Sequence, residues 1–300
     1  MSRRGWALFL TMAVLWGVPY LLIRIAVRQL DPGVLVLGRT APAALLLVPL
    51  VIARRQIGDV WKNLKWIAIF GVVEFGVPWY LMATAEKHIT SSLTSLLICV
   101  VPLFSVVGER IRRTDEHIGT RRLIGLAVGA AGVLLLVGLG IHGGSAQWIG
   151  VMLAIGVGYT VGPIILATKL HHVPGVAIVA GATLLVALAW IPWSVAHWPQ
   201  HVSGETMSAV AVLSVFCTAG AFLTFFELVK EVGSTRSVVV TYVNTALAVV
   251  LGISILHEPL SIGILLGFPL VLVGSILATS HSRRSPEPEL ARDAHDALHH

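Results

Sequence analysis

Residues 5–27 read GWALFLTMAVLWGVPYLLIRIAV, 23 positions with a single charge, Arg24. A helix needs about 20 mainly apolar residues to cross the hydrocarbon core of a bilayer. This run meets that length. It is too long for the apolar core of a cleaved signal peptide, about 7–15 residues, although Arg3 and Arg4 precede it. Similar runs follow at 34–53, 66–85, 89–108, 122–141, 147–168, 174–196, 207–229, 235–256 and 262–280. The expected fold is therefore an all-α polytopic membrane protein with ten transmembrane helices. The loops are too short to hold an independent soluble domain.

Composition agrees with this reading. Hydrophobic residues make up 56% of the 300, and charged residues 12%. A soluble domain carries roughly 25% charged residues. Seven of the charges fall in the last 20 residues, so the first 280 have even fewer. The mean hydropathy is +0.86. Soluble, disordered and disulfide-rich secreted classes are excluded. Cys99 and Cys217 lie inside apolar runs and do not form a disulfide framework. The pI of 9.7 reflects basic residues between the apolar runs. That is a topology signal, so no nucleic-acid partner is expected.

Orientation follows from where those residues fall. With the N-terminus inside, the inner segments hold 17 Lys and Arg: Arg3, Arg4, Arg54, Arg55, Lys62, Lys65, Arg110, Arg112, Arg113, Arg121, Arg122, Lys169, Lys230, Arg236, Arg283, Arg284 and Arg292. The outer segments hold Arg28 and Lys87 alone. The positive-inside rule then places both termini in the cytoplasm.

The chain also matches itself. A shift of 142 residues lays Trp6 on Trp148, Pro32-Gly33-Val34 on Pro174-Gly175-Val176, and Ser92 and Ser95 on Ser234 and Ser237. It also lays Glu116 on Glu258, Gly125 on Gly267 and Gly132 on Gly274. Each unit holds five spans, an odd number, so the second copy enters the membrane inverted. Two inverted-topology five-helix repeats are expected, at 5–141 and 147–280, with a substrate site between them near the bilayer midplane. The charged segment 281–300, with Pro286 and Pro288, reads as a disordered cytoplasmic tail.

These residues resemble a known family. Trp16-Gly17 stands in the first helix and Arg39 in the second. A Ser-rich fourth helix with Pro102, the acidic Glu116 and Glu258, and a Gly-rich fifth helix follow. Over roughly 5–280 the chain resembles the drug/metabolite transporter superfamily, in its EamA-like branch with two repeats. The resemblance implies a ten-helix inner-membrane carrier, often an exporter of amino acids or related metabolites. Two departures stand out: 108–116 is more polar than its partner 250–258, and Asn244 replaces Pro102.

Several residues are candidates for the work of transport. Glu74 sits near the middle of the third span, and its repeat partner is Phe216. An ionisable residue in hydrocarbon usually faces a cavity or a partner. A carboxyl titrating there would couple proton movement to transport; the alternative is a protonated Glu bonded between helices. Arg39, in the outer part of the second span, would pair with Glu74, meet a substrate carboxylate, or snorkel to the interface. Ser237, Thr241, Asn244 and Thr245 share one face of the ninth helix, matched by Ser95, Cys99 and Pro102 on the fourth. This stripe is either a substrate wall or a polar packing seam. Trp16, Tyr20, Trp79, Tyr80, Tyr159 and Tyr242 are aromatics at depth, and Pro19 and Pro78 adjoin them. The expected substrate-binding set is Trp16, Tyr20, Arg39, Glu74, Trp79, Ser95, Tyr159, Thr241, Tyr242 and Asn244, with Glu74 as the proton-coupling group.

Other signals carry less. Gly158/Gly162 and Gly263/Gly267 have GxxxG spacing and read as close helix contacts. Gly138-x-Gly140-x-x-Gly143 closes a membrane helix, the wrong context for a dinucleotide site. His171-His172 lacks metal-site spacing, and no P-loop occurs. No cofactor or metal is expected. The chain reads as a secondary transporter and not an enzyme, with a small-molecule substrate, lipid and protons as partners. Import or facilitated diffusion is the alternative direction. A lipid-modifying membrane enzyme is the alternative class, and it lacks the clustered acids or histidines it would need.

Overall fold

The computed structural model describes residues 2–101, 103–104, 120–140, 146–233, 237 and 240–279; for 122, 136–140, 278 and 279 it describes the backbone only. Pro102, Glu116, Gly143, Ser234, the basic residues Arg110, Arg112, Arg113, Arg236, Arg283, Arg284 and Arg292, the stretch 108–116 and the tail 281–300 lie outside the described residues.

The described residues are helical, with no strand. The helices are α1 (Arg3–Ala26), α2 (Pro32–Ala53), the short α3 (Ile57–Lys62), α4 (Leu64–Gly71), α5 (Val77–Ala85), α6 (Ser91–Ile98), α7 (Thr120–Gly140), α8 (Ala146–Lys169), α9 (Gly175–Ala196), α10 (Gly204–Ser214), α11 (Ala221–Val232), α12 (Val240–Leu256) and α13 (Ile262–Thr279). Their starts are set by side chains that accept an otherwise orphaned N–H. Ser2 Oγ accepts from Gly5 N, and Asp31 Oδ1 accepts from Gly33 N beside Pro32 at the first helical position. Thr90 caps α6 and Ser203 caps α10 in the same way.

Two spans are each built from two helices joined by a π-helical turn. Val72–Gly76 joins α4 to α5, and Val215–Gly220 joins α10 to α11. In the first, Pro78 has no N–H to offer the carbonyl of Glu74, so the regular ladder fails at that point. In the second, the Thr218 hydroxyl donates to the Leu213 carbonyl at 2.8 Å and substitutes for a backbone donor. A shift of 142 residues moves 72–76 onto 214–218. The two irregular turns therefore occupy equivalent places in the two halves. Such turns are frequent at functional sites.

Six helical segments are long and apolar enough to cross a membrane: Arg3–Ala26, Pro32–Ala53, Leu64–Ala85, Ala146–Lys169, Gly175–Ala196 and Gly204–Val232. Leu123–Leu135, Val240–Leu256 and Ile262–Leu277 are shorter apolar helices. Large apolar side chains such as Leu45, Leu134 and Val195 point outward, more than two-thirds exposed. A soluble protein does not show such a surface; a bilayer covers it.

Small residues let the helices meet. α7 and α13 make the most extensive contact among the described residues, followed by α2 with α9 and α1 with α12. At Gly132 a Cβ would come within 2.6 Å of Val271 N and 2.9 Å of Gly267 O, so only glycine permits this approach. Gly267 is thus a close helix contact, as its spacing predicts. Gly158 and Gly162 differ from expectation. Gly158 faces open space, and the open side of Gly162 is filled by the Glu74 carboxyl and the Phe70 ring, so this pair is not a backbone-to-backbone contact.

Candidate functional site

A cavity of about 290 Å³ lies near the middle of the spans. That is at the small end of the roughly 300–1,000 Å³ typical of small-molecule sites. Eight of the ten candidate residues border it: Trp16, Tyr20, Arg39, Glu74, Trp79, Tyr159, Thr241 and Asn244. They come from α1, α2, the π-turn of the third span, α5, α8 and α12, so both halves of the chain contribute.

One wall is aromatic. Phe75 packs on Trp79 at 4.8 Å between ring centroids and meets Phe222 edge-on at 5.4 Å. Phe222 in turn meets Trp16 edge-on at 6.2 Å, and Trp16 packs on Phe225 at 5.1 Å. Each such pair adds about 0.5–1.5 kcal/mol beyond the area it buries. Phe75 and Phe222 were not among the expected residues. Among many phenylalanines in apolar spans, nothing in their spacing marks them.

Arg39 sits on this wall. Its guanidinium carbon lies 3.6 Å from the centroid of the Trp79 ring. Its Nε donates to Thr218 Oγ1 at 3.0 Å, and its carbonyl accepts from Ser214 Oγ at 2.9 Å. The residue is 8% exposed, so it does not snorkel to an interface. It also makes no ion pair with Glu74. Neither terminal nitrogen has a hydrogen-bond partner among the described residues. The stack and the Nε bond fix the plane of the guanidinium, and its fork is left for the cavity. An oriented fork of this kind recognises a carboxylate or phosphate by two parallel bonds.

Glu74 also borders the cavity. Its carboxyl lies in the space that the missing side chain of Gly162 leaves on α8. Oε2 has no hydrogen-bond partner among the described residues. Helix α8 thus gives the cavity Tyr159, Pro163 and a seat for the acid.

Ser95 and Tyr242 lie away from the cavity. Ser95 is fully buried and donates to the Ser92 carbonyl at 2.8 Å, one turn along α6 from Ile98, the residue that α6 gives to the cavity. Tyr242 lies on α12 between Thr241 and Asn244 in sequence but about 100° and 200° around from them. It packs instead with Leu96, Cys99 and Val271. The polar stripe of α12 is accordingly split. Thr241 and Asn244 face the cavity, whereas the Thr245 hydroxyl donates to the Thr241 carbonyl and the Ser237 hydroxyl to the Gly233 carbonyl. Tyr80 stacks on Trp190 at 4.9 Å, also off the cavity.

At the end of the bundle opposite the N-terminus, the cavity is closed by packed apolar side chains. Ile23, Met82 and Ile98 line it and belong to a buried cluster with Leu97, Met152 and Ile155. At the end carrying the N-terminus, Arg4 meets Glu227 at 3.1 Å and Ser2 Oγ donates to Glu231 at 2.6 Å, which ties α1 to α11. Glu227 also accepts from Lys230 at 2.9 Å, an i, i+3 pair on α11. Among the described residues, no three His, Cys, Asp or Glu side chains are grouped to hold a metal ion.

A bundle with lipid-facing apolar sides around a solute-sized mid-span cavity defines a class, the polytopic membrane carriers. The family model of EamA-like transporters matches the chain twice, over residues 3–138 and 146–280, and the chain belongs to that family. It is a membrane transporter. Its relatives include the uncharacterized inner membrane transporter YedA of Escherichia coli (strain K12), 26% identical over 261 residues, covering 83% of this chain and 81% of YedA. The uncharacterized transporter YvbV of Bacillus subtilis (strain 168) is 24% identical over 284 residues, covering 91% of this chain and 90% of YvbV. A crystal structure of a protein 17% identical in sequence superposes with a TM-score of 0.64, over 94% of this chain and 99% of that one. The likeness extends to the fold alone.

Proposed function

We propose that the protein exports small metabolites such as amino acids across the inner membrane. It works by alternating access between two inverted five-helix repeats, 5–141 and 147–280, with both termini in the cytoplasm. The observation that carries this reading is Arg39. A buried guanidinium, held flat by Trp79 and Thr218, turns an unpaired fork toward a mid-span cavity. Leaving charged donors unpaired costs about 1–3 kcal/mol or more, and a carboxylate arriving in the cavity relieves that cost. Glu74 offers the opposite charge, or a proton, for the amino end of the same solute. The aromatic wall takes an apolar side group.

The repeat reading is supported by the shift of 142 residues and by the paired π-turns. It is also supported by helix pairing across the halves. α1 packs on α12 and α11, as α8 packs on α6 and the third span. The inner membrane is suggested by the name of YedA, and the cytoplasmic termini by the bias of basic residues.

Glu74 is assigned the coupling proton. With Glu74→Gln, flux in proteoliposomes loses its response to a pH gradient, while exchange of solute against solute continues. The measurement is flux with and without the gradient. Full gradient-driven flux in the variant would remove the coupling role.

A further inference from the structure

A second acid is buried in this protein, at the opposite end of the third span from its entry. Glu86 follows α5 directly and is 0% exposed. Neither carboxyl oxygen has a hydrogen-bond partner among the described residues. The position also lies at the C-terminal end of a helix, where the aligned peptide dipoles oppose a negative charge. A buried carboxylate without donors is expensive, whereas its neutral acid is not.

The surroundings show why Glu86 has no donors. The nearby carboxylate of Glu258, in the segment after α12, takes those available at the start of α6. Its Oε1 accepts from Ser91 N at 2.7 Å and from Ser91 Oγ at 2.9 Å. Its Oε2 accepts from Ser92 N at 3.0 Å and from Ser92 Oγ at 2.6 Å. Gly252 leaves the space for this arrangement: a Cβ there would lie 2.6 Å from Glu258 Oε2. Arg24 of α1 is the nearest source of compensation. Its Nη1 reaches the Ile89 carbonyl at 3.4 Å, and it forms no ion pair with Glu86 among the described residues. The charged and titratable groups facing Glu86 are Arg24 and Tyr20 from α1, Arg39 from α2 and Glu258. His88, two residues on, instead stacks on Trp148 at 4.3 Å.

Everything around Glu86 belongs to the closed end. Ala85 and Ile89 flank it within the same apolar cluster as Ile23, Met82 and Ile98, which seals the cavity. We propose that Glu86 is a proton-binding gate residue: the outer end closes only when Glu86 has taken a proton from the outer water, and opens when it returns that proton and pairs with Arg24. This rests on the alternating-access reading and on the orientation given above. It concerns the outer gate, whereas Glu74 concerns the solute cavity.

The test needs no substrate. Ile23→Cys, with Cys99 and Cys217 replaced by serine, is labelled from outside in right-side-out vesicles by a membrane-impermeant maleimide. The rate at each pH is divided by that of the denatured protein. With Glu86 present, labelling rises about tenfold between about pH 5 and pH 9. With Glu86→Gln it stays low and flat. With Arg24→Gln and Glu86 intact, the midpoint moves up by about 1 pH unit; this variant also decides the matter if Glu86→Gln does not fold. The role of Glu74 is read by gradient-driven flux and that of Glu86 by this labelling, so a failure of the coupling role of Glu74 shows in flux and not here. A pH response that survives in Glu86→Gln, or a midpoint that Arg24→Gln leaves in place, overturns the proposal.

Discussion

Replacing Arg39 by lysine lowers solute flux by about 10- to 100-fold, corresponding to one lost charge-assisted hydrogen bond of about 1.5–3 kcal/mol. Lysine keeps the charge, so a purely electrostatic role predicts a mild effect. The geometry predicts a severe one. The guanidinium is stacked 3.6 Å from the Trp79 centroid, and its Nε is held by Thr218 Oγ1. An ammonium has no plane to stack and no fork to present. The check is initial flux in proteoliposomes at matched protein density. Near-native flux in Arg39→Lys would leave the guanidinium as a structural group only.

The second large effect comes from a residue without a side chain. Gly162→Ala puts a methyl group where the Glu74 carboxyl rests, and the atom displaced is the end of a flexible side chain. The helices need not separate. Alanine in place of glycine favours a helix by up to about 1 kcal/mol, so thermal stability in detergent holds or rises slightly. Gradient-driven flux nevertheless falls to the level of Glu74→Gln. At Gly158, one turn away, a Cβ meets nothing within 4 Å, so Gly158→Ala leaves both quantities unchanged. A Gly162→Ala protein with native gradient-driven flux would show that the seat of the acid does not matter.

These two residues illustrate what a sequence of this kind makes legible. Arg39 and Glu74 are conspicuous because a charge in hydrocarbon is costly, and that cost confines such residues to protein-facing surfaces. Trp16, Tyr20, Trp79, Tyr159, Thr241 and Asn244 are conspicuous for a weaker form of the same reason, and they border the cavity too. Ser95 and Tyr242 carry the same compositional signal. Depth along α6 and direction around α12 turn them into packing. The spans themselves follow from apolar length, and their caps from Ser, Thr and Asp at the helix starts.

Other features depend on tertiary placement. Phe75 and Phe222 resemble any phenylalanine of an apolar span until Arg39 and Trp79 are set against them. Gly162 reads as a helix contact until Glu74 is found in its space. Glu86 stands beyond the last apolar residue of its span, where an acid ordinarily meets water. It is buried because α1, the start of α6 and the Glu258 segment converge over it. The paired π-turns leave no trace in residue periodicity: Pro78 accounts for the first, and the Thr218 hydroxyl, donating to the Leu213 carbonyl, supports the second.

In the proposed mechanism the cavity bordered by Arg39 and Glu74 is the site through which a small carboxylate-bearing amine crosses the membrane. Flux of a panel of amino acids and related metabolites into and out of vesicles containing the purified protein, with and without a pH gradient, tests it most directly. At least one such solute moves with the gradient, and loses that movement in both Arg39→Lys and Glu74→Gln. A solute carried equally well by the native protein and by both variants would contradict it.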